Sequence, residues 1–132
     1  MHICYGYGIK ANTDWKQTLG SEWRQYEDIF PAISASSIQQ VAIECRNSKV
    51  PLELLGLLKG KIVQAGVIDV ASDTVETAED VVSTIEAVMR HVPASNIVAT
   101  TNCGMAPMHR DIAEAKLMAL GAGAKLARQR FG

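Results

Sequence analysis

Short apolar, β-rich runs alternate with helical patterns four times along this chain. The runs fall at residues 3–5, 41–45, 62–70 and 97–101. Those at 41–45 and 62–70 are nearly continuous in apolar residues, the pattern of strands buried on both faces. Between them the spacing turns helical. Trp23, Tyr26, Phe30 and Ile33 share one stripe, with Ser21 as the expected cap and Pro31 expected to kink or end the helix. Pro51 suits a first helical turn ahead of Leu54, Leu55 and Leu58, and Gly60 suits its end.

Thr77 and Asp80 have the spacing of a capping box before Val81, Val82, Ile85, Val88 and Met89, and Pro93 follows as a stop. A last helix is expected from about Arg110, with Ile112, Ala113, Leu117, Leu120 and Ala124 turned inward. Gly121 and Gly123 weaken that helix by roughly 1 kcal/mol each relative to Ala but allow close packing. The segment 6–20 has no strand pattern and reads as a long βα connection in which Tyr5, Tyr7 and Trp15 anchor the loop or cover a ligand.

The order is an α/β chain of four consecutive βα units. Right-handed crossovers make the four strands parallel, with helices on the outer side. A complete (β/α)₈ barrel takes about 250 residues, so 132 residues correspond to half of one. A flavodoxin-like sheet has a similar length, but it needs a fifth strand that the sequence lacks. A half barrel leaves an inner sheet face and two strand edges open. The expected inner apolar surface comprises Ile3, Val41, Ile43, Val63, Val67, Ile97 and Ala99, and pairing with a second copy or a missing half barrel would bury it.

Composition narrows the partners. With 48% hydrophobic and 20% charged residues the chain has an ordinary globular make-up. A net charge of −1 offers no basic face for nucleic acid or an anionic membrane, and no apolar run approaches the roughly 18 residues that span a bilayer. No basic n-region with a following apolar stretch marks a signal peptide. Three cysteines are an odd number without a regular framework. They fit reduced thiols in a cytoplasmic setting, where cysteine more often binds metal or reacts.

The candidate chemistry gathers at strand ends. His2 and Cys4 are two residues apart on an extended segment and so point to one side. Glu44 closes the second strand and Cys103 follows the fourth, all at the carboxyl end where α/β folds carry their ligands. Imidazole, carboxylate and two thiolates suit Zn²⁺ better than Mg²⁺ or Ca²⁺. The spacing alone also accommodates Cys4 and Cys103 as buried core thiols. Cys45 turns to the opposite face from Glu44 and reads as packing. His91 at a helix C-terminus and His109 in a loop need no function, and Asn102 either orients the Cys103 loop or satisfies a turn.

Four ordered blocks carry a resemblance: His-Ile-Cys-Tyr (2–5), Ala-Ile-Glu-Cys (42–45), Gly-Val-Ile-Asp-Val (66–70) and Asn-Cys-Gly-Met (102–105). They resemble the zinc-site blocks of the cobalamin-independent methionine synthases, in the last four strands of the catalytic barrel, and the short members are the most similar in character. The resemblance implies that His2, Cys4, Glu44 and Cys103 bind Zn²⁺, and that a homocysteine thiol accepts a methyl group to give methionine. It implies further that residues 1–132 are the C-terminal half of such a barrel, a fragment that lacks the strands binding the amino and carboxylate groups of homocysteine.

The longer enzymes continue their third block as Asp-Ile-His-Ser, whereas this chain reads Asp69-Val70-Ala71-Ser72. An acid for protonating a folate leaving group is therefore missing at Ala71. The methyl donor is expected to be methyltetrahydrofolate or a methylcobalamin-carrying protein, which needs no such acid. Asp69 remains the candidate catalytic polar group. A cobalamin-linked methyltransferase of the same superfamily acting on another thiol, such as coenzyme M, is the alternative. A non-catalytic zinc-binding half barrel that serves as an assembly partner is a third reading.

Overall fold

In the computed structural model, which describes residues 1–132, four strands pair in parallel in the order β1-β2-β3-β4. They are β1 (His2–Ile3), β2 (Gln40–Glu44), β3 (Ile62–Ile68) and β4 (Ile97–Thr101). The helices are α1 (Lys10–Gln17), α2 (Tyr26–Ala35), α3 (Ala78–Met89) and α4 (Arg110–Phe131), with short 3₁₀ segments at Leu52–Leu57 and Ala94–Asn96. Each strand is followed by helical structure, so the four βα units expected from the sequence are present. No helix is long and apolar enough to cross a membrane.

Register separates the two sheet faces. Ile3, Ile43, Ala65 and Ala99 align across the sheet, as do Val41, Val63 and Ile97. Val41, Ile43, Val63, Ala65 and Val67 are buried in the main core with Phe30, Leu55, Val81 and Val88, so this face is the one the helices cover. The expectation that these residues line the open side is therefore reversed. The open face carries His2, Ala42, Gln64 and Val98 in one row and Glu44, Gly66 and Thr100 in the next. It is mostly small or polar. The Gln64 amide donates to Gln40 Oε1 at 2.6 Å across it, and Val98 is its one strongly exposed apolar side chain.

The local signals vary in how well they predict. Thr77 and Asp80 form the capping box: Asp80 N–H donates to Thr77 Oγ1 at 3.1 Å and Thr77 N–H to Asp80 Oδ2 at 2.9 Å. Gly60 sits at φ +74 after the 3₁₀ segment, a conformation that favours glycine. Pro51 is the residue before that segment rather than part of its first turn. Ser21 caps nothing, because α2 starts five residues later; Trp23 is nonetheless buried, its backbone N–H donating to Lys49 O. Pro31 does not end α2, which continues to Ala35. Pro31 lies on the exposed flank of the helix, where its ring meets no core side chain.

Two further differences concern helices. The segment 6–20 contains α1, whose pattern is too polar to announce itself because none of its residues is buried. Of the residues expected to turn inward on α4, Ile112, Ala113 and Ala124 are half-buried and Leu120 packs against the core, but one is not. Leu117 is exposed, while Lys116, Gly123 and Ala127 face inward. Gly123 is needed there, since a Cβ would lie 2.3 Å from Val81 Cβ. Lys116 faces inward because Glu76, also buried, waits for it at 2.9 Å.

Candidate metal centre

The carboxyl ends of the strands bring together residues from both ends of the chain. Ligand atoms of His2, Cys4 and Cys103 all lie within 4.8 Å of one another. Cys4 Sγ and Cys103 Sγ are 3.7 Å apart. That is far beyond a disulfide bond of about 2.05 Å. It equals the edge of a tetrahedron with Zn–S bonds of about 2.3 Å, which is about 3.8 Å. Burial pushes the Cys4 thiol above its ordinary value, and the adjacent Cys103 and the Glu44 carboxylate push the same way.

Glu44, the fourth residue the sequence singles out, stands beside the cluster rather than within it. It is almost completely buried, and its carboxylate accepts Tyr5 N–H at Oε1 (2.7 Å) and the Tyr7 hydroxyl at Oε2 (2.7 Å). Both donors come from the segment that leaves β1. The Tyr7 phenol is held well above its ordinary range, first by burial and then by its hydrogen bond to the Glu44 carboxylate. Register puts His2 opposite Ala42 and Ile3 opposite Ile43, and the Tyr5 N–H bond to Glu44 then keeps the segment that carries Cys4 against the end of β2.

Asn102 locks the other side. It is buried, accepts from the Cys45 and Arg46 N–H groups at 3.1 and 3.3 Å, and donates to Arg46 O at 2.7 Å. Of the two roles open to it from sequence, orientation of the Cys103 loop is the one the contacts describe. Thr101 adds a hydrogen bond to Cys103 O at 2.8 Å. Gly66 makes this approach possible, because a Cβ there would meet Asn102 Cα at 2.7 Å and Ile43 O at 2.9 Å.

Asp69 is buried just beyond β3. Its carboxylate accepts from Asn47 Nδ2 at 3.0 Å and Ala71 N–H at 2.8 Å, and its own N–H donates to Glu76 Oε1 at 2.8 Å. Cys45 faces the core, as its alternation implies, and burial pushes its thiol up to about 12. His91 and His109 are exposed and outside the cluster. Sequence reasoning missed the Tyr7 hydroxyl, Lys16 and the Lys116–Glu76 pair. The one available signal was a lysine within an otherwise apolar helical stripe.

A parallel four-strand sheet with alternating helices defines a class, the (β/α)-barrel proteins, and here two thiols and an imidazole converge at its carboxyl end. The comparisons narrow this. A family model described as "Cobalamin-independent synthase, Catalytic domain" matches residues 10–126. A solved B12-independent methionine synthase from Shewanella sp. W3-18-1, in complex with selenomethionine, superposes with a TM-score of 0.92 at 55% identity, over 98% of this chain and 38% of that one. The methionine synthase of Saccharolobus solfataricus is 30% identical over 132 residues, 98% of this chain and 34% of the relative. A 2-hydroxypropyl-CoM lyase from Xanthobacter autotrophicus is 45% identical over 64 residues, covering 48% and 17%. The chain belongs to the cobalamin-independent methionine synthase catalytic-domain family. It spans about a third of the length of the methionine synthases it matches.

Proposed function

We propose that this chain is the zinc-bearing C-terminal half of a catalytic barrel that transfers a methyl group to the thiol of homocysteine, giving methionine. The observation that carries the reading is the Cys4–Cys103 separation of 3.7 Å with His2 within 4.8 Å, a soft tetrahedral edge suited to Zn²⁺. Cys4, Cys103 and His2 would hold the ion, with Glu44 adjacent as the fourth ligand. Bound there, Zn²⁺ supplies a Lewis acid that keeps a substrate thiol ionised at neutral pH.

The remaining work falls to the chain's own residues. Asn102 and Gly66 fix the Cys103 loop, Tyr5 and Tyr7 fix Glu44, and Asp69 offers a polar group beyond β3. Ala71, exposed where the longer enzymes of the family have histidine, favours a methylcobalamin-carrying protein over methyltetrahydrofolate as methyl donor. The strands that would bind the homocysteine amino and carboxylate groups lie outside this chain, so the chain by itself is expected to be inactive. Loss of that positioning forfeits several kcal/mol of barrier reduction. The open edges of β1 and β4 are where a complementary half barrel or a second copy would pair. The reduced thiols suit a cytoplasmic setting.

A second reading has its own support. The 64-residue similarity to a 2-hydroxypropyl-CoM lyase favours a superfamily member acting on another thiol, coenzyme M. Elemental analysis tests the metal: about one zinc per chain in reduced protein, lost in Cys103→Ala. Absence of zinc at neutral pH overturns the reading. Methionine formation from homocysteine, when the chain is complemented by the first half of a relative's barrel, separates the two acceptors. Zinc uptake without turnover on either thiol leaves the non-catalytic half barrel.

A further inference from the structure

We propose that Tyr7 is a positioning residue of the metal centre, acting through Glu44; this rests on the zinc reading above. Glu44 is 2% exposed, so water cannot orient its carboxylate. The side-chain and backbone contacts leave it two donors, Tyr5 N–H on one oxygen and the Tyr7 hydroxyl on the other. A carboxylate has about four lone-pair sites, so two remain after these bonds are made. Because Tyr5, the residue after Cys4, bonds Glu44 directly, those free sites belong to a group held close to the thiol cluster. The backbone amide sets one oxygen wherever the chain leaves β1. The plane of the carboxylate depends on the second donor, and that donor is a side chain.

Tyr7 is itself held. The Lys16 ammonium on α1 donates to Gly6 O at 2.7 Å and lies 5.0 Å from the centre of the Tyr7 ring. Gly6 adopts φ +80, which lets the chain turn sharply from Tyr5 towards Tyr7. Lys16 therefore fixes the segment, the segment fixes the phenol, and the phenol fixes the carboxylate. Hydrogen-bonding partners of metal ligands characteristically change metal affinity by about 10- to 100-fold when removed.

The test is competition for Zn²⁺ between the reduced, metal-free chain and a chromophoric chelator. Tyr7→Phe keeps the ring and its contact with Lys16 but removes the hydroxyl, and should weaken binding about 10- to 100-fold. In a Glu44→Gln background the same change should have little further effect, since Tyr7 acts through that carboxylate. A merely structural tyrosine would give the same loss in both backgrounds, and that outcome overturns the proposal. Equal or tighter binding by folded Tyr7→Phe overturns it as well. Should Tyr7→Phe not fold, Lys16→Met loosens the same segment with the phenol intact, and its smaller loss must likewise vanish with Glu44→Gln. A wild-type chain that takes up no zinc overturns the zinc reading and this inference together. A wild type that binds while Tyr7→Phe binds equally removes only the role of Tyr7.

Discussion

Cys4 and Cys103 are 99 residues apart in sequence, yet their Sγ atoms lie 3.7 Å apart at the carboxyl end of the sheet. Cys4 follows the first strand and Cys103 the last, so only an intact four-strand sheet can bring them together. In reduced, metal-free protein these two thiols should react with a chromogenic disulfide reagent. Cys45, buried in the core with its thiol pushed up to about 12, should react only after unfolding. Adding Zn²⁺ should protect the reactive pair. Reaction of all three thiols in native protein would contradict the packing of Cys45, and reaction unaffected by Zn²⁺ would contradict the proposed ligands.

Asn102 and Gly66 should prove costly to change. Asn102→Ala removes the donor to Arg46 O and a shared acceptor for two backbone N–H groups, a loss of about 2 kcal/mol. Gly66→Ala should cost more, about 3 kcal/mol, because the new Cβ meets backbone atoms that no rotamer change can move. Urea denaturation of the two variants measures both, and a smaller effect for Gly66→Ala than for Asn102→Ala would count against this geometry.

Lys116 and Glu76 form a buried ion pair, 2.9 Å apart and at most 5% exposed, in which Lys116 also donates to Thr74 O. Lys116→Met leaves the Glu76 charge buried without its partner and should cost about 3–5 kcal/mol. Adding Glu76→Gln removes that charge and keeps an acceptor for Asp69 N–H, so the double variant should recover much of the loss. No recovery would show that the pair matters through packing instead.

Acid sensitivity should centre on Asp80. The Thr77 N–H and hydroxyl, with Arg46, hold its carboxyl down at about 2, below the ordinary 3.8. A depressed carboxyl contributes stability that is present above its unfolded value and lost as pH falls from about 4 through about 2. Its side chain is 38% exposed, so solvent screening reduces the contribution to about 1 kcal/mol. Denaturation midpoints of wild type and Asp80→Asn should converge as pH approaches 2. Parallel curves across that window would rule the contribution out.

Self-association is expected of the isolated chain. The β1 and β4 edges are unpaired, Val98 is exposed on the open face, and Leu117 and Met118 are exposed on α4. A groove of about 380 Å³ beside β4, lined in part by Ile97, Ala99 and Phe131, adds apolar surface on the same flank. Parallel sheets are stable with both faces covered, so light scattering at micromolar concentration should report a dimer or larger species. A stable folded monomer would show that the small and polar open face is tolerated in water.

The sequence by itself determined the four βα units, the α3 capping box, the turn of Cys45 to the face opposite Glu44 and the block resemblance that names the family. These depend on local periodicity, on backbone capping and on short contiguous motifs. Tertiary structure alone decided three other things. Helix-facing burial decided which sheet face was apolar, because alternation within a strand is the same for either face. Charge pairing decided that Lys116 joins the inward side of α4, since it needed Glu76, forty residues away. The convergence of His2, Cys4 and Cys103 required parallel pairing across the whole sheet, as did the clamp of Tyr7 on Glu44. Hydrogen bonds and thiol contacts of this kind act over a few ångströms between residues that the linear pattern leaves far apart.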